Sequence, residues 1–120
     1  MAIINVEIED KYYPKTTTEN ITVFAEFGNG QPGGGYVIFL DQDLKSSNSI
    51  ASMGTASDVS NKWTIVSATI IDKLEETNWT SVTITVTEGN SKTLYGPYSK
   101  LVPKHLDTVS YLIKILNVCN

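Results

Sequence analysis

Arginine is absent from this 120-residue sequence, and its nine basic residues are lysines scattered singly along the chain. Nucleic-acid phosphates are held by clustered cations, with arginine giving the bidentate contacts. Thirteen acidic groups and a net charge of −4 therefore argue against nucleic acid as a partner. Cysteine occurs once, at Cys119, so an internal disulfide is excluded and a stapled secreted scaffold with it. Long apolar runs are missing too. The longest purely apolar stretch is Tyr36 to Leu40, against the roughly 20 residues of a helical membrane span. The start, Met-Ala-Ile-Ile-Asn-Val-Glu, has no basic segment leading into an apolar one, so no export signal is expected and the cytoplasm is the default location. Alanine and leucine together supply only 13 residues, which leaves little with which to fill helices.

What is present is β-branched. Isoleucine, valine and threonine make up 36 of the 120 residues. Branching at Cβ stiffens χ1 and crowds a helix, yet packs well on a pleated sheet. A chain this long buries about two-thirds of its unfolded surface, so one domain over residues 1 to 120 stands on its own core.

The order of residues agrees. Ile4, Val6 and Ile8 alternate with Asn5, Glu7 and Glu9, the period-two mark of a strand with one wet face. Residues 10 to 20 read as a loop with Pro14 and three consecutive threonines, and a second strand follows over 21 to 27. Tyr36 to Leu40 is apolar on both faces and reads as a central strand. Residues 44 to 61 are polar, with room for one edge strand near 49 to 55. Alternation returns over 62 to 71. Residues 72 to 77 read as a turn of helix capped by Asp72. A strand over 79 to 88 then meets a hairpin turn, Glu88-Gly-Asn-Ser91, whose returning arm is interrupted at Gly96-Pro97. The extension after Pro103 carries Leu106, Val109, Ile113 and Leu116 at helical spacing but Val109, Tyr111, Ile113 and Ile115 at strand spacing, and its β-branched content favours strand. The fold expected is all-β: a two-sheet antiparallel sandwich of seven or eight strands.

Leu74-Glu-Glu-Thr77-Asn-Trp79-Thr-Ser-Val82-Thr-Ile84-Thr-Val86 resembles the fibronectin type III and related immunoglobulin-like domains, where a leucine, a threonine and an aromatic residue lead into alternating valines before a terminal hairpin. The likeness spans residues 74 to 102 and implies an immunoglobulin-like sandwich. Such folds host adhesion, scaffolding and carbohydrate binding alike, so the resemblance implies no single function.

Reaction chemistry is thinly represented. Gly28-Asn-Gly-Gln-Pro-Gly33 matches a dinucleotide-loop pattern, but an apolar strand follows it instead of a helix whose N-terminus would face a phosphate. His105 is the only histidine, and neither a nucleophile-elbow turn nor a reactive cysteine context accompanies it. Asp41-Gln-Asp43 offers hard oxygen donors near Asn48, without the glycine turn and closing carboxylate of a calcium loop. Glu75 and Glu76 are adjacent and point different ways on a helical turn. The chain therefore reads as non-enzymatic and without cofactor or metal.

Aromatic and apolar residues are the better guide. Trp63, Phe24, Phe27 and Phe39 fall at strand positions and read as core. Tyr95 and Tyr98, beside a loop, suit a contact surface together with Leu112, Ile113, Ile115 and Leu116, a stretch more apolar than an edge element normally shows to water. That stretch must close the sandwich or dock on another chain. The function expected is protein binding or assembly, with a protein partner or a second copy of the chain. The alternative is carbohydrate binding by Tyr12, Tyr13, Asp41, Asp43 and the loop glycines Gly33 and Gly34, with rings stacking on sugar and carboxylates accepting hydroxyl bonds.

Overall fold

Alternation of buried and exposed side chains runs through almost every extended segment, and the architecture follows from it. The computed structural model describes residues 3–28, 33–71, 79–102 and 107–119. Among them lie β1 (Ile3–Tyr12), β2 (Ile21–Gly28), β3 (Gly33–Leu40), β4 (Asp43–Ser47), β5 (Ala51–Gly54), α1 (Ala56–Val59), β6 (Trp63–Ile71), β7 (Trp79–Glu88), β8 (Ser91–Leu101) and β9 (Thr108–Asn117). The strands form two sheets, in the orders β1-β9-β6-β3-β4 and β5-β2-β7-β8. Packed together they make a β-sandwich.

The filling is β-branched. Ile38, Val66, Ile70, Ile113 and Ile115 come from the five-stranded sheet; Ile21, Val23, Val82, Ile84 and Val86 come from the four-stranded one. Each such side chain contributes roughly 1.5–3 kcal/mol when removed from water. The largest fully buried side chain is Tyr111. Its hydroxyl lies 2.8 Å from Thr80 Oγ1, and Thr80 Oγ1 donates in turn to the Lys100 carbonyl at 3.0 Å. A buried hydroxyl needs such partners, because losing water without replacement is costly.

Four features differ from the reading of the sequence. First, nine strands lie among the described residues, because β4 forms in the polar stretch from Asp43; it is exposed at most positions and pairs with β3 through a register shift, so it carries no alternation to read. Second, the two layers are not wholly antiparallel: β1 runs parallel to β9, from Ile3 opposite Thr108 to Tyr12 opposite Asn117. Third, a helical turn appears at α1, where the Thr55 amide donates to Asp58 Oδ2 at 2.9 Å. The helical turn expected at 72 to 77 lies outside the described residues. Fourth, of the aromatics read as core only Phe27 packs against it, partly buried, while Phe24, Phe39 and Trp63 are partly exposed. Phe39 and Trp63 alternate with buried Leu40 and Thr64, which turns them outward.

The extension is a strand. β9 lies between β1 and β6 as a central element of the larger sheet, so it closes the sandwich. Beside the interrupted arm, Gly96 has φ +98, and a Cβ there would stand 2.7 Å from Tyr98 N and 2.9 Å from Val82 O. Glycine is required at that bulge.

Candidate functional site

An antiparallel sheet with one buried face normally shows polar side chains on the other. The larger sheet does not. Its pairing register lines outward residues up in rows across the strands. Val37 of β3 stands opposite Ser67 of β6, which stands opposite Leu112 of β9, which stands opposite Glu7 of β1. The next row is Phe39, Ile65, Lys114 and Glu9. The row beyond begins at Trp63 and continues through Leu116 to Lys11. Val37, Phe39, Trp63, Ile65, Leu112 and Leu116 thus form one block, each partly exposed. Leu44, 60% exposed, extends it on β4 opposite Phe39. In the other direction the next row is polar, with Thr69, Ser110 and Asn5, and the last brings Ile71 and Ile3, the latter 66% exposed, to the far end.

At one end of the block lies an open groove of about 500 Å³, lined by Asp41, Gln42, Asp43, Trp63, Ile65 and Lys114. Asp41 sets its shape. With φ +50 it turns the chain from β3 towards β4, its Oδ1 accepts from the Trp63 amide at 2.8 Å, and its own amide donates to the Trp63 carbonyl at 2.8 Å. Asp and Asn tolerate this left-handed conformation better than most residues. The Lys114 ammonium sits 4.9 Å from the Trp63 ring centroid, a cation–π contact that fixes the indole against the sheet.

The residues singled out in the sequence separate into three groups. Leu112 and Leu116 lie on the outer block. Ile113 and Ile115, at 0% and 1% exposure, lie in the core and have no surface to offer a partner; this corrects their assignment to a contact surface. Tyr95 and Tyr98 are turned inward along the seam between β8 and β1. The Tyr95 hydroxyl donates to the Lys11 carbonyl at 2.8 Å. Burial, with Asp10 and Tyr98 nearby, pushes Tyr95 up to about 12, and burial beside Asp10 raises Tyr98 as well. These two tyrosines close an edge of the sandwich.

The alternative ligand set is dispersed. Asp41 and Asp43 share the groove, but Gly33 and Gly34 begin β3 at its far end. A Cβ on Gly34 would stand 2.8 Å from the Phe27 ring, so this glycine serves close packing between the sheets. Tyr12 is buried, and Tyr13, 56% exposed, lines a different depression with Val118 and Cys119. Asn48 is likewise remote from any calcium-like cluster: its Oδ1 accepts from the Tyr36 amide at 2.8 Å. His105 lies outside the described residues. Among those described, no three of His, Cys, Asp and Glu stand together as metal ligands.

One polar centre went unread. Glu88, 2% exposed at the end of β7, accepts from the Tyr12 hydroxyl, from the Lys15 amide at 2.9 and 3.0 Å, from the Thr16 amide at 2.7 Å and from the Thr16 hydroxyl at 2.9 Å. Burial pushes its carboxyl upward, but these donors together outweigh burial and hold it below the ordinary glutamate value. Burial, with the same pairing, raises Tyr12. Both shifts lead away from neutrality, so neither group is poised to exchange protons near pH 7. The carboxylate fastens the segment after β1 to the end of β7. In the sequence, Glu88 has the look of a hairpin residue, and only its place on the inward parity of β7 hints at burial.

No protein-family model, no curated protein and no solved structure matches this chain. No helix among the described residues is long and apolar enough to cross a membrane.

Proposed function

We propose that this chain is a non-enzymatic binding module, of the immunoglobulin-like kind, which takes a protein partner on the outer face of its five-stranded sheet. The observation that carries the reading is the block of Val37, Phe39, Trp63, Ile65, Leu112 and Leu116 at positions where a solvated sheet is normally polar. The 42 residues of the five strands, at about 4.8 Å spacing and about 3.3 Å rise, give a face of roughly 700 Å², close to one partner's share of a standard interface. Aromatic and branched side chains on a rigid sheet lose little freedom when covered, which suits them to anchor a contact.

A photo-cross-linking residue at Ser67, between Val37 and Leu112 of the block, and the same residue at Glu26, on the outer side of the other sheet, test this in extracts of the source cells. Discrete protein adducts from position 67 and none from position 26 are expected. Equal labelling from both, or none from 67, refutes it.

The groove at Asp41, Gln42, Asp43, Trp63 and Lys114 favours a second reading, carbohydrate binding, since an indole beside several hydrogen-bonding side chains is what a sugar face requires. A glycan array separates the two. Hits lost in Trp63→Ala support the sugar.

A further inference from the structure

The same face carries charge in a pattern that selects its partner, and the inference here rests on the proposed binding role. Glu7 and Glu9, both exposed, border the apolar block along β1. Asp41 and Asp43, also exposed, border it at the turn between β3 and β4. Against these four carboxylates stand Lys45, which shares a depression with Asp43, and two lysines on the face itself. Lys114 is held over the Trp63 ring, and Lys11 closes the row of Trp63 and Leu116. The block is thus apolar in the middle, with acid along the β1 margin and at the β3–β4 corner.

That arrangement weighs against a second copy of the chain. Two identical sheets meeting face to face are related by a two-fold axis lying in the interface. With the axis along the strands, the β1 margin of one copy meets the β3–β4 margin of the other, so Glu9 comes over Leu44 and Glu7 over Ser47, while Asp41 comes level with Lys11. With the axis across the strands, the β1 margins meet, and Glu7 and Glu9 approach their own counterparts. Across the strands carboxylates face carboxylates, and along them Glu7 and Glu9 are covered with no cation opposite, so neither arrangement compensates both groups where apolar surface excludes water. We propose that the outer face of the five-stranded sheet binds a different protein, one that presents apolar side chains at its centre and lysine or arginine at its margins.

The test uses Trp63 fluorescence in the Trp79→Phe protein, which leaves one indole, with two synthetic probes: a strand peptide alternating leucine with arginine, and its counterpart with glutamate in place of arginine. The arginine peptide is expected to bind and shift Trp63 emission, more weakly as salt is added, and the glutamate peptide is not. Glu7→Lys/Glu9→Lys is expected to weaken binding by about tenfold or more. Glu19→Lys/Glu26→Lys, with the same net charge but away from the face, is expected to leave binding unchanged. Ile65→Asp, or Ser67→Glu should the first fail to fold, is expected to abolish it. No binding of the arginine peptide, equal binding of both peptides, or equal weakening by the two charge-reversed variants overturns the basic partner. Should Ile65→Asp abolish binding while Glu7→Lys/Glu9→Lys does not weaken it, the basic partner falls and the binding face stands. Binding indifferent to Ile65→Asp and Ser67→Glu overturns the face itself. A light-scattering mass of two chains that returns to one in Ile65→Asp assigns the face to a second copy and overturns the inference.

Discussion

Replacing Glu88 with glutamine changes almost nothing in shape and a great deal in hydrogen bonding. The carboxylate accepts from two backbone amides and two hydroxyls, all within a buried site. Glutamine keeps one acceptor oxygen and puts an NH2 group where the other was. With the NH2 at the Oε1 position, the Lys15 and Thr16 amides keep the remaining oxygen and the Tyr12 hydroxyl turns to accept, so what is lost is the charge behind every one of these bonds. A charge-assisted bond is worth about 1.5–3 kcal/mol net against about 0.5–1.5 kcal/mol for a neutral one, and several weaken together, so Glu88→Gln is expected to lose about 3 kcal/mol. At this chain length that is a fall of roughly 10–15 °C in melting temperature. The effect has a pH signature with a definite sign. The native carboxyl lies below its unfolded value of about 4.3, so its stabilisation is complete above that pH and is lost as pH falls through the native value. Urea unfolding at pH 7 and pH 2 reads both quantities. The gap between wild type and Glu88→Gln should be widest at pH 7 and narrow sharply at pH 2. A variant within 0.5 kcal/mol of wild type at pH 7, or a gap that ignores pH, would refute the clamp; that threshold is about half the net worth of one ordinary hydrogen bond.

Other substitutions probe separate parts of the molecule. Gly96→Ala forces a side chain onto a left-handed backbone within 3 Å of two backbone atoms and is expected to cost about 2–4 kcal/mol by denaturant unfolding. Tyr111→Phe removes the hydroxyl that meets Thr80 and is expected to cost about 1–2 kcal/mol, whereas Thr80→Val with Tyr111→Phe should recover part of the loss, since both polar partners then leave together. Ending the chain before Thr108 removes a central strand, parts β1 from β6, and should leave circular dichroism without a folded β signature. In spectrophotometric titration, Tyr95 should ionise near pH 12, and Tyr95→Phe should remove that phase.

The layered β architecture could be read in the sequence because burial there is written locally. Val82, Ile84 and Val86 sit two apart, and each is in the core. The same rule places Val109, Tyr111, Ile113 and Ile115 inside, once the extension is a strand. What period two cannot say is which of two apolar faces turns inward when both are apolar. On β6 the core takes Thr64, Val66, Ala68 and Ile70, leaving Trp63 and Ile65 outside, although the second pair is the bulkier. Neighbours decide this: Thr64 accepts from the Asn117 side chain at 3.0 Å, a buried partnership made across 53 residues.

The candidate face was hidden for the same reason. No segment contains it. Val37, Ile65, Leu112 and Glu9 come from four strands, and only the register, with β1 and β9 parallel, sets them in rows. Glu88 shows the converse. A hairpin glutamate is ordinarily solvated, but here the chain beyond Tyr12 folds over it and brings two successive amides to one carboxylate. Strand alternation therefore fixes the layers, while long-range pairing decides which leftover groups become surface to be covered and which become polar fastenings. The apolar outer block is the part that local sequence rules leave unaccounted for within a single chain, and this is the physical reason to look for its complement in another molecule.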